Sequence, residues 1–405
     1  MRILALTSWW PEPADNGIKL RLSRLLEALG TRHEVHLLAL CRDLPAATDQ
    51  QLPLRYCATA LAEHAPATPL RKGSQVMSLW SLRPASVRAA WSPSFADLVR
   101  RSAVALTPDI VVAFELSSAP YALLLPGIPR VLDDLEMAAL HDEFTTSTGP
   151  QRLRRWLTWA KHRSYVRHIL AGFAGYTAVS AREAALAEPL APARAQMAVL
   201  PNGADIEATL LPLEPEPDTL IYPGALSYQA NHDAMSYFLE HIFPQIRGMR
   251  PATRLRITGR ATTAQIAALP PSEGVEFTGF VPDIKALVAR SWAEVVPLRE
   301  GSGTRLKILE ALALGTPVVS TTKGAEGLDL TPGRDYLIAD TPAAFAETTV
   351  RLLAHPDERA RLSANGRRAV AERYDWRAIG ARFVALVETI ATQKQVIYGT
   401  RIHTT

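Results

Sequence analysis

The stretch that decides the fold is "EVVPLREGSGTRLKILEALALGTPVVST", residues 294–321. An apolar run (294–298) enters a glycine-bearing turn, an apolar helix follows, and a second apolar run (317–321) closes the unit. The runs are rich in Val without strict alternation, as expected of parallel strands buried on both faces. Strand, helix and strand in succession predict a right-handed crossover. Gly301, Ser302, Gly303 and Thr304 open the helix, Arg305 and Lys307 stand at its start, and Glu310 follows one turn further in.

The same alternation runs outward in both directions. Strands are expected at 2–8, 34–40, 109–114, 130–133 and 176–180, and again at 220–224, 254–259, 275–280, 294–298, 317–321 and 336–340. That is enough for two doubly wound α/β sheets, and 405 residues exceed what one core usually serves. The seam is expected at "AVLPNGADIE" (198–207), where Pro-Asn-Gly breaks structure, with the Pro- and acid-rich connector 210–219 behind it. The expected domains are 1–200 and 201–372, with a closing helix and tail at 373–405. In the first helix Ile18, Leu22, Leu25 and Leu29 make an apolar stripe, Asp15 or Asn16 can cap the start, and Gly30 ends it. The loop before it, "WWPEPADNG", sits where open α/β sheets bind ligands but lacks G-x-G-x-x-G, which weighs against a dinucleotide oxidoreductase. In the last helix Trp376, Ile379, Phe383, Leu386 and Ile390 form a second stripe, and the residues from Ala391 on are expected to be less ordered.

Composition narrows the function classes. Hydrophobic residues at 48% and charged residues at 21% are an ordinary soluble balance. No run approaches a membrane span, and "MRILALTSWWPEP" reads as a first strand rather than a signal peptide, which places the expectation in the cytosol. Cys41 and Cys57 are too few for a disulfide framework or a thiolate metal site and read as reduced thiols. With no Asp-x-Asp motif and no clustered His, no metal is expected. The net charge of +4 fits a phosphate-bearing ligand or an anionic membrane surface. No nucleic-acid-binding motif accompanies it.

A helix entrance presents free N–H groups and the positive end of the macrodipole, and glycines let an anion approach the backbone. Arg305 and Lys307 add full charges. A lone phosphate needs no carboxylate beside those cations. A nucleotide does, because a Glu can accept both ribose hydroxyls while the cations hold the diphosphate. The alternative is a surface turn with solvated cations and Glu310 in a helical ion pair.

Four stretches tie these features together: "PEPADNGIKLRLSRLLEAL" (11–29), "TAVSAREAALAEPLAPARAQMAVLPNGAD" (177–205), the whole of 275–328, and "RYDWRAIGARFVALVETI" (373–390). With them the chain resembles, over nearly its whole length, the retaining glycosyltransferases of the GT-B fold, family 4. Its "GTRLKILEA" style of motif resembles the bacterial exopolysaccharide-type transferases, including those associated with PEP-CTERM/exosortase systems. The resemblance implies two Rossmann-like domains facing a central cleft, with the donor in the second and the last helix crossing back to the first. It implies transfer of a sugar from a UDP- or GDP-sugar to a glycan or lipid-linked acceptor with no further cofactor. Closure about the turn at Asn202 and Gly203 would accompany catalysis, though Asn and Gly also suit a purely structural turn there.

Residue by residue, Glu310 matches the family's ribose-binding Glu, the second of a Glu-x7-Glu pair. The first falls on Ser302, with Glu300 two residues further off as a substitute. The Arg and Lys that the family places after the first strand of the second domain fall on Ala225 and Ala230. Arg305 and Lys307 are the natural replacements, and Arg260 either assists them or is a solvated loop residue. Where the family has a His facing the donor sugar, "RVLDDLEMAALHDEF" offers Asp133, Asp134 and Glu136, with His141 later. Either an acid, Asp134 foremost, takes the polar role, or His141 reaches back, or His141 is a helix-surface residue. Asn16 and Gly17 match the family's first loop, near the acceptor; Lys19 and Arg21 follow it, as functional cations or as a solvated helix face.

Six Lys/Arg with Trp156, Trp159 and Tyr165 in 151–170, and the basic, aromatic stretch 70–91, fit either a helix lying on an anionic membrane or a solvated face. The rival functions are a non-catalytic GT-B relative that binds nucleotide or glycan as a scaffold, and a nucleotide-sugar or NAD-dependent oxidoreductase or epimerase.

Overall fold

The computed structural model describes residues 1–14, 16–41, 54–65, 91–206, 213–281, 283–301 and 304–399. Asp15, Ser302, Gly303, the basic stretch up to residue 90 and the first residues of the connector lie outside them. The chain divides into two compact units, Met1–Pro201 with Arg377–Thr405, and Asn202–Trp376.

In the first unit β1 (Arg2–Thr7), β2 (Glu34–Cys41), β3 (Thr59–His64), β4 (Ile110–Phe114), β5 (Arg130–Asp133), β6 (Gly175–Ala178) and β7 (Gln196–Val199) form one sheet. Its order is β3-β2-β1-β4-β5-β6-β7, and every pairing is parallel. Helices α1 (Gly17–Gly30), α2 (Pro93–Leu106), α3 (Glu115–Ala122), α4 (Ala138–Thr146), α5 (Gly149–Leu170) and α6 (Ala181–Ala187) connect the strands. β4 is buried end to end and β1 from Ile3 on, which is why their sequences read as near-continuous apolar runs. β3 and β7 are two strands that periodicity does not reveal: "TALAEH" and "QMAV" are short, Ala-bearing and only half-buried. The Asn16 side chain caps α1 by accepting from the Lys19 N–H at 3.0 Å. Its buried face is Arg21, Leu22, Leu25, Leu26 and Leu29, while Ile18 is exposed. The expected stripe is therefore rotated by one position at its start.

In the second unit β8 (Glu216–Pro223), β9 (Arg254–Thr258), β10 (Val275–Gly279), β11 (Ser291–Val296), β12 (Val318–Ser320) and β13 (Leu337–Ile338) pair in the order β10-β9-β8-β11-β12-β13, again all parallel. Helices α7 (Gln229–Tyr237), α8 (Phe243–Met249), α9 (Thr263–Ala267), α10 (Ile284–Arg290), α11 (Leu306–Ala313), α12 (Pro342–Ala354) and α13 (Pro356–Arg373) surround it. One apolar core runs through the unit, in which Phe238 stacks on Phe243 and meets Phe345 edge to face.

The closing helix α14 (Trp376–Gly399) begins at the end of the second unit and packs on the first. Phe383 lies 6.1 Å from Phe114, and the Ile390 side chain fills the space over Gly175. The predicted stripe from Trp376 to Ile390 is buried throughout. The helix continues past Ala391 to Gly399, further than its sequence leads one to expect.

Candidate functional site

In an open α/β sheet, ligands bind beyond the carboxyl ends of the strands where the strand order reverses. In the second unit that point lies between β8 and β11. The loop after β8 is Gly224–Tyr228, and the loop after β11 leads through Gly301 into α11. Residues 294–321 therefore sit at the switch point.

Glycines allow three segments to meet there. Gly259, at φ +108°, has a backbone position where a Cβ would fall 2.7 Å from the Ala225 nitrogen. Gly301, at φ +105°, faces the Ala230 methyl, and its own Cβ would lie 3.3 Å away. Both values of φ belong to glycine. Ala225 and Ala230 thus lie directly against these two glycines.

The two cations of the turn do different work. Arg305 is buried, and its Nη2 donates to the Gly301 carbonyl at 2.9 Å and the Lys323 carbonyl at 3.3 Å. It ties the glycine turn to the loop after β12. The Lys307 Nζ lies 3.9 Å from the centroid of the Tyr222 ring and donates to Asn231 Oδ1 at 3.2 Å. Asn231 Oδ1 also accepts from the Tyr222 hydroxyl at 2.7 Å, and its Nδ2 donates to the Ala225 carbonyl at 2.9 Å. A strand residue and a helix residue thus fix one ammonium at the mouth of β8. Burial lowers the Lys307 ammonium to about 8, against the raising influence of Glu294 and Glu310. Burial likewise raises the Glu310 carboxyl, with Lys285 pulling it down and Asp205 pushing it up. Helix α11 has no side-chain cap at its N-terminus, which leaves the positive end of its dipole at the glycine turn.

At the first unit's switch point, between β1 and β4, the groups are acids. Phe114 and Asp133 are register partners on β4 and β5. The next residue of each strand, Glu115 and Asp134, leaves the sheet with φ near +61° and +62°. Two non-glycine residues side by side in the left-handed region are backbone strain of the kind that gathers at functional sites. Glu115 accepts from the Thr7 hydroxyl and the Ser8 N–H, both at 3.2 Å. Burial holds its carboxyl well above the usual range. Asp133 forms a bidentate ion pair with Arg21 at 2.7 and 2.9 Å, and Thr177 donates to it at 2.6 Å. Burial pushes the Asp134 carboxyl up to about 7, with Asp133 and Glu136 adding to it and Arg21 opposing.

Residues 16–203 match the family model described as "Glycosyl transferase 4-like domain", and residues 217–355 match "Glycosyl transferases group 1". The chain is built from a 4-like and a group 1 glycosyltransferase domain. It is 35% identical over 142 residues to an "MMP alpha-(1->4)-mannosyltransferase" of Mycolicibacterium hassiacum, covering 34% of each chain. It is 28% identical over 161 residues to a "GDP-mannose-dependent monoacylated alpha-(1-6)-phosphatidylinositol monomannoside mannosyltransferase" of Corynebacterium glutamicum, covering 36% of this chain and 42% of that one. These matches span well under half the length of those relatives. Among solved structures, sucrose-phosphate synthase from Thermosynechococcus elongatus aligns over 97% of this chain and 100% of its own, with a TM-score of 0.70 at 17% identity. HepE from Anabaena, solved with UDP and glucose, aligns over 96% and 100%, with a TM-score of 0.64 at 15% identity. The fold is GT-B.

Within this glycosyltransferase fold, Gly301, Thr304, Arg305, Lys307 and Glu310 come together at the second switch point. Glu300 is exposed at the rim, and Arg260 is exposed with its guanidinium 5.2 Å from the Phe280 ring centroid. Asn16, Gly17 and Lys19 begin α1 at the same sheet edge as Asp134. Arg21 is buried in its pair with Asp133, so the solvated-face reading does not hold for it. His141 packs edge-on to Trp159 at 5.2 Å, which makes it a helix-packing residue. Asn202 and Gly203 lie at the start of the second unit, beside the bridge between Ala204 and Asp375.

Four residues of these sites were not singled out from sequence: Tyr222, Asn231, Glu115 and Glu294. Glu294 left a signal, since an acid inside a strand expected to be buried on both faces is anomalous. Glu115 left a weaker one, as an acid directly after "IVVAF". Asn231 left none.

Proposed function

We propose that the protein is a retaining glycosyltransferase that moves a sugar from a UDP- or GDP-sugar to a glycan or lipid-linked acceptor. The observation that carries this reading is the joining of the Gly301 turn, Lys307 and Glu310 at the switch point of the group 1 domain. The α11 N-terminus and Lys307 would hold the diphosphate and neutralise it as it departs. Arg305 would keep the turn in shape and add its charge from behind. Glu310 would accept the ribose hydroxyls, with Glu300, Ser302, Gly303, Thr304 and Arg260 around the donor. In the first unit Asn16, Gly17, Lys19 and Asp134 would face the acceptor. A carboxyl held near 7 can exchange a proton with a hydroxyl at neutral pH. Retention follows if the departing phosphate helps deprotonate the acceptor on the same face of the sugar, leaving protein groups to position and neutralise.

The two mannosyltransferase relatives support mannosyl transfer as the first donor class to test, and the motif style supports a role in exopolysaccharide assembly. Helix α5 supports work at the inner face of a membrane. Its first two turns are exposed all round, with Leu153 63%, Trp156 47% and Leu157 42% exposed among Arg152, Arg154 and Arg155. Among the described residues no helix is long and apolar enough to cross a membrane.

The test is incubation with UDP- and GDP-sugars in the presence of lipid-linked acceptors. Release of one nucleoside diphosphate, with the donor's anomeric configuration kept in the product, supports the reading. Binding of nucleotide without turnover of any donor supports a scaffold instead.

A further inference from the structure

The first unit carries a second group of side chains at the carboxyl edge of its sheet, away from its switch point. Trp91 directly precedes α2, which leads from β3 to β4, and it is 40% exposed. One face of its ring lies on Tyr121, with the centroids 4.8 Å apart and the planes 1° from parallel. Tyr121 is itself held. It is buried, Phe95 meets it edge to face at 4.9 Å, and its hydroxyl accepts from the Ser92 N–H at 2.6 Å. The Trp91 ring is therefore fixed from behind, and its exposure lies on the opposite face and the edge.

A carboxylate stands beside this ring. Ser92, the residue after Trp91, donates its hydroxyl to Glu63 Oε1 at 3.0 Å, and the Ser94 hydroxyl donates to the same oxygen. Neither serine takes Oε2. The sheet register gives the height of the group. Ala113, Leu6, Leu38 and Leu61 are level across β4, β1, β2 and β3. Glu115 and Glu63, each two residues further on, thus stand at the same height at the carboxyl edge, where ligands of an open α/β sheet bind. Three strand spacings separate them, roughly 14 Å. A flat exposed ring beside a carboxylate suits one chemical class. A hexopyranose presents C–H groups on its ring face and hydroxyls around its rim. The C–H groups pack on an indole, whose face carries partial negative charge, and the hydroxyls donate to a carboxylate oxygen such as Oε2. An acyl chain would use the ring alone and would desolvate the carboxylate without pairing it.

We propose that Trp91, backed by Tyr121 and flanked by Glu63, is a subsite for a sugar ring of the acceptor. The inference rests on the reading of the first unit as the acceptor side. The spacing names the acceptor class. A ring on Trp91, beside Glu63, lies roughly 14 Å from the first switch point, too far for the same monosaccharide to present its hydroxyl beside Glu115 and Asp134. The acceptor is an oligosaccharide, with its accepting hydroxyl at the switch point and an earlier ring on Trp91. Because the platform is already stacked in place, binding costs little side-chain ordering.

Saturation-transfer NMR on the full-length protein, with no nucleotide added, reads the contact. The probes are manno-, malto- and chito-oligosaccharides, from the monosaccharide up to the hexasaccharide. Stacking on an indole discriminates little between hexopyranoses, so members of this panel must bind whatever the natural acceptor is. The expected result is transfer to sugar ring protons with affinity that rises with chain length. Trp91→Ala should weaken the longer members about tenfold, and Trp91→Phe, which keeps a flat ring, should stay within about threefold of wild type. Trp91→Leu keeps an apolar side chain on Tyr121 without a flat ring, and it should bind as poorly as Trp91→Ala. A merely structural Trp91 would give variants that differ in melting temperature and not in sugar binding. Absence of transfer to every probe, or sugar binding that Trp91→Ala and Trp91→Leu leave unchanged, overturns the proposal. So does loss of sedimentation with anionic vesicles in those variants while sugar binding stands, which would make Trp91 a membrane contact. The outcome is separate from the donor reading. Nucleotide binding without sugar binding at Trp91 overturns this proposal alone, and sugar binding at Trp91 without nucleotide binding supports it while the donor site fails.

Discussion

Replacing Lys307 with Met should move stability and binding in opposite directions. The ammonium is held at about 8 rather than the ordinary 10.5. That difference is equivalent to about 3 kcal/mol of folding free energy spent on keeping the charge in place, and solvent reaching the half-buried side chain trims it to roughly 1–2 kcal/mol. Met has nearly the same shape and no charge, so it recovers that cost. For a unit of this size the melting temperature should rise by roughly 3–6 °C. The sign has a pH signature. Between about 8 and 10.5 the unfolded chain keeps the Lys307 proton that the folded chain has lost, so wild-type stability rises with pH through that window. The variant lacks this rise, and the two melting curves converge toward pH 10. Binding goes the other way, because a hydrogen bond to a charged group is worth about 1.5–3 kcal/mol. Diphosphate affinity should therefore fall by roughly ten- to 150-fold. Thermal melts across pH and calorimetry on the same preparations read both effects. A Lys307→Met protein that is less stable than wild type at pH 7, or that binds diphosphate equally well, refutes this account of the ammonium.

Four further outcomes follow from the same geometry. Glu310→Gln should weaken nucleotide binding by about 1–2 kcal/mol through the ribose hydroxyls. Because burial raises that carboxyl, wild-type stability should fall as pH rises through its folded pKa, and the variant should lose that slope. Asp134→Asn should leave diphosphate affinity within about threefold, as it lies in the other unit, while the transfer rate drops by roughly 10²-fold or more. Gly259→Ala combines a positive φ with a Cβ contact of 2.7 Å to backbone and should cost roughly 2–3 kcal/mol, seen as a clearly lower melting temperature. Trp156→Ala with Leu157→Ala should abolish sedimentation with anionic vesicles and leave nucleotide binding unchanged, which equal sedimentation of variant and wild type would contradict.

The sequence announces the fold where strands are buried on both faces, because burial leaves continuous apolar runs such as "IVVAF". It hides β3 and β7, which sit at the two edges of their sheet and need no such runs. The glycine turn with Arg305, Lys307 and Glu310 was legible because close backbone approach demands glycine and charge demands cations. What spacing could not separate was the two cations, since only the fold shows Arg305 turned onto backbone carbonyls and Lys307 held over Tyr222. Spacing left Arg21 open between a functional cation and a solvated face because its partner, Asp133, lies over a hundred residues away. Asn231 was invisible for the same reason: it meets Lys307 only through tertiary contact. Glu294 stood out in the sequence only as an acid within an otherwise apolar strand.

The most direct test of the central claim is calorimetric titration of the purified protein with UDP, GDP and ADP, beside Arg305→Ala and Glu310→Ala. Binding of one of these diphosphates, weakened at least tenfold in both variants, is the result a donor site at the second switch point requires. No binding of any of the three, or binding that both variants leave untouched, would contradict it.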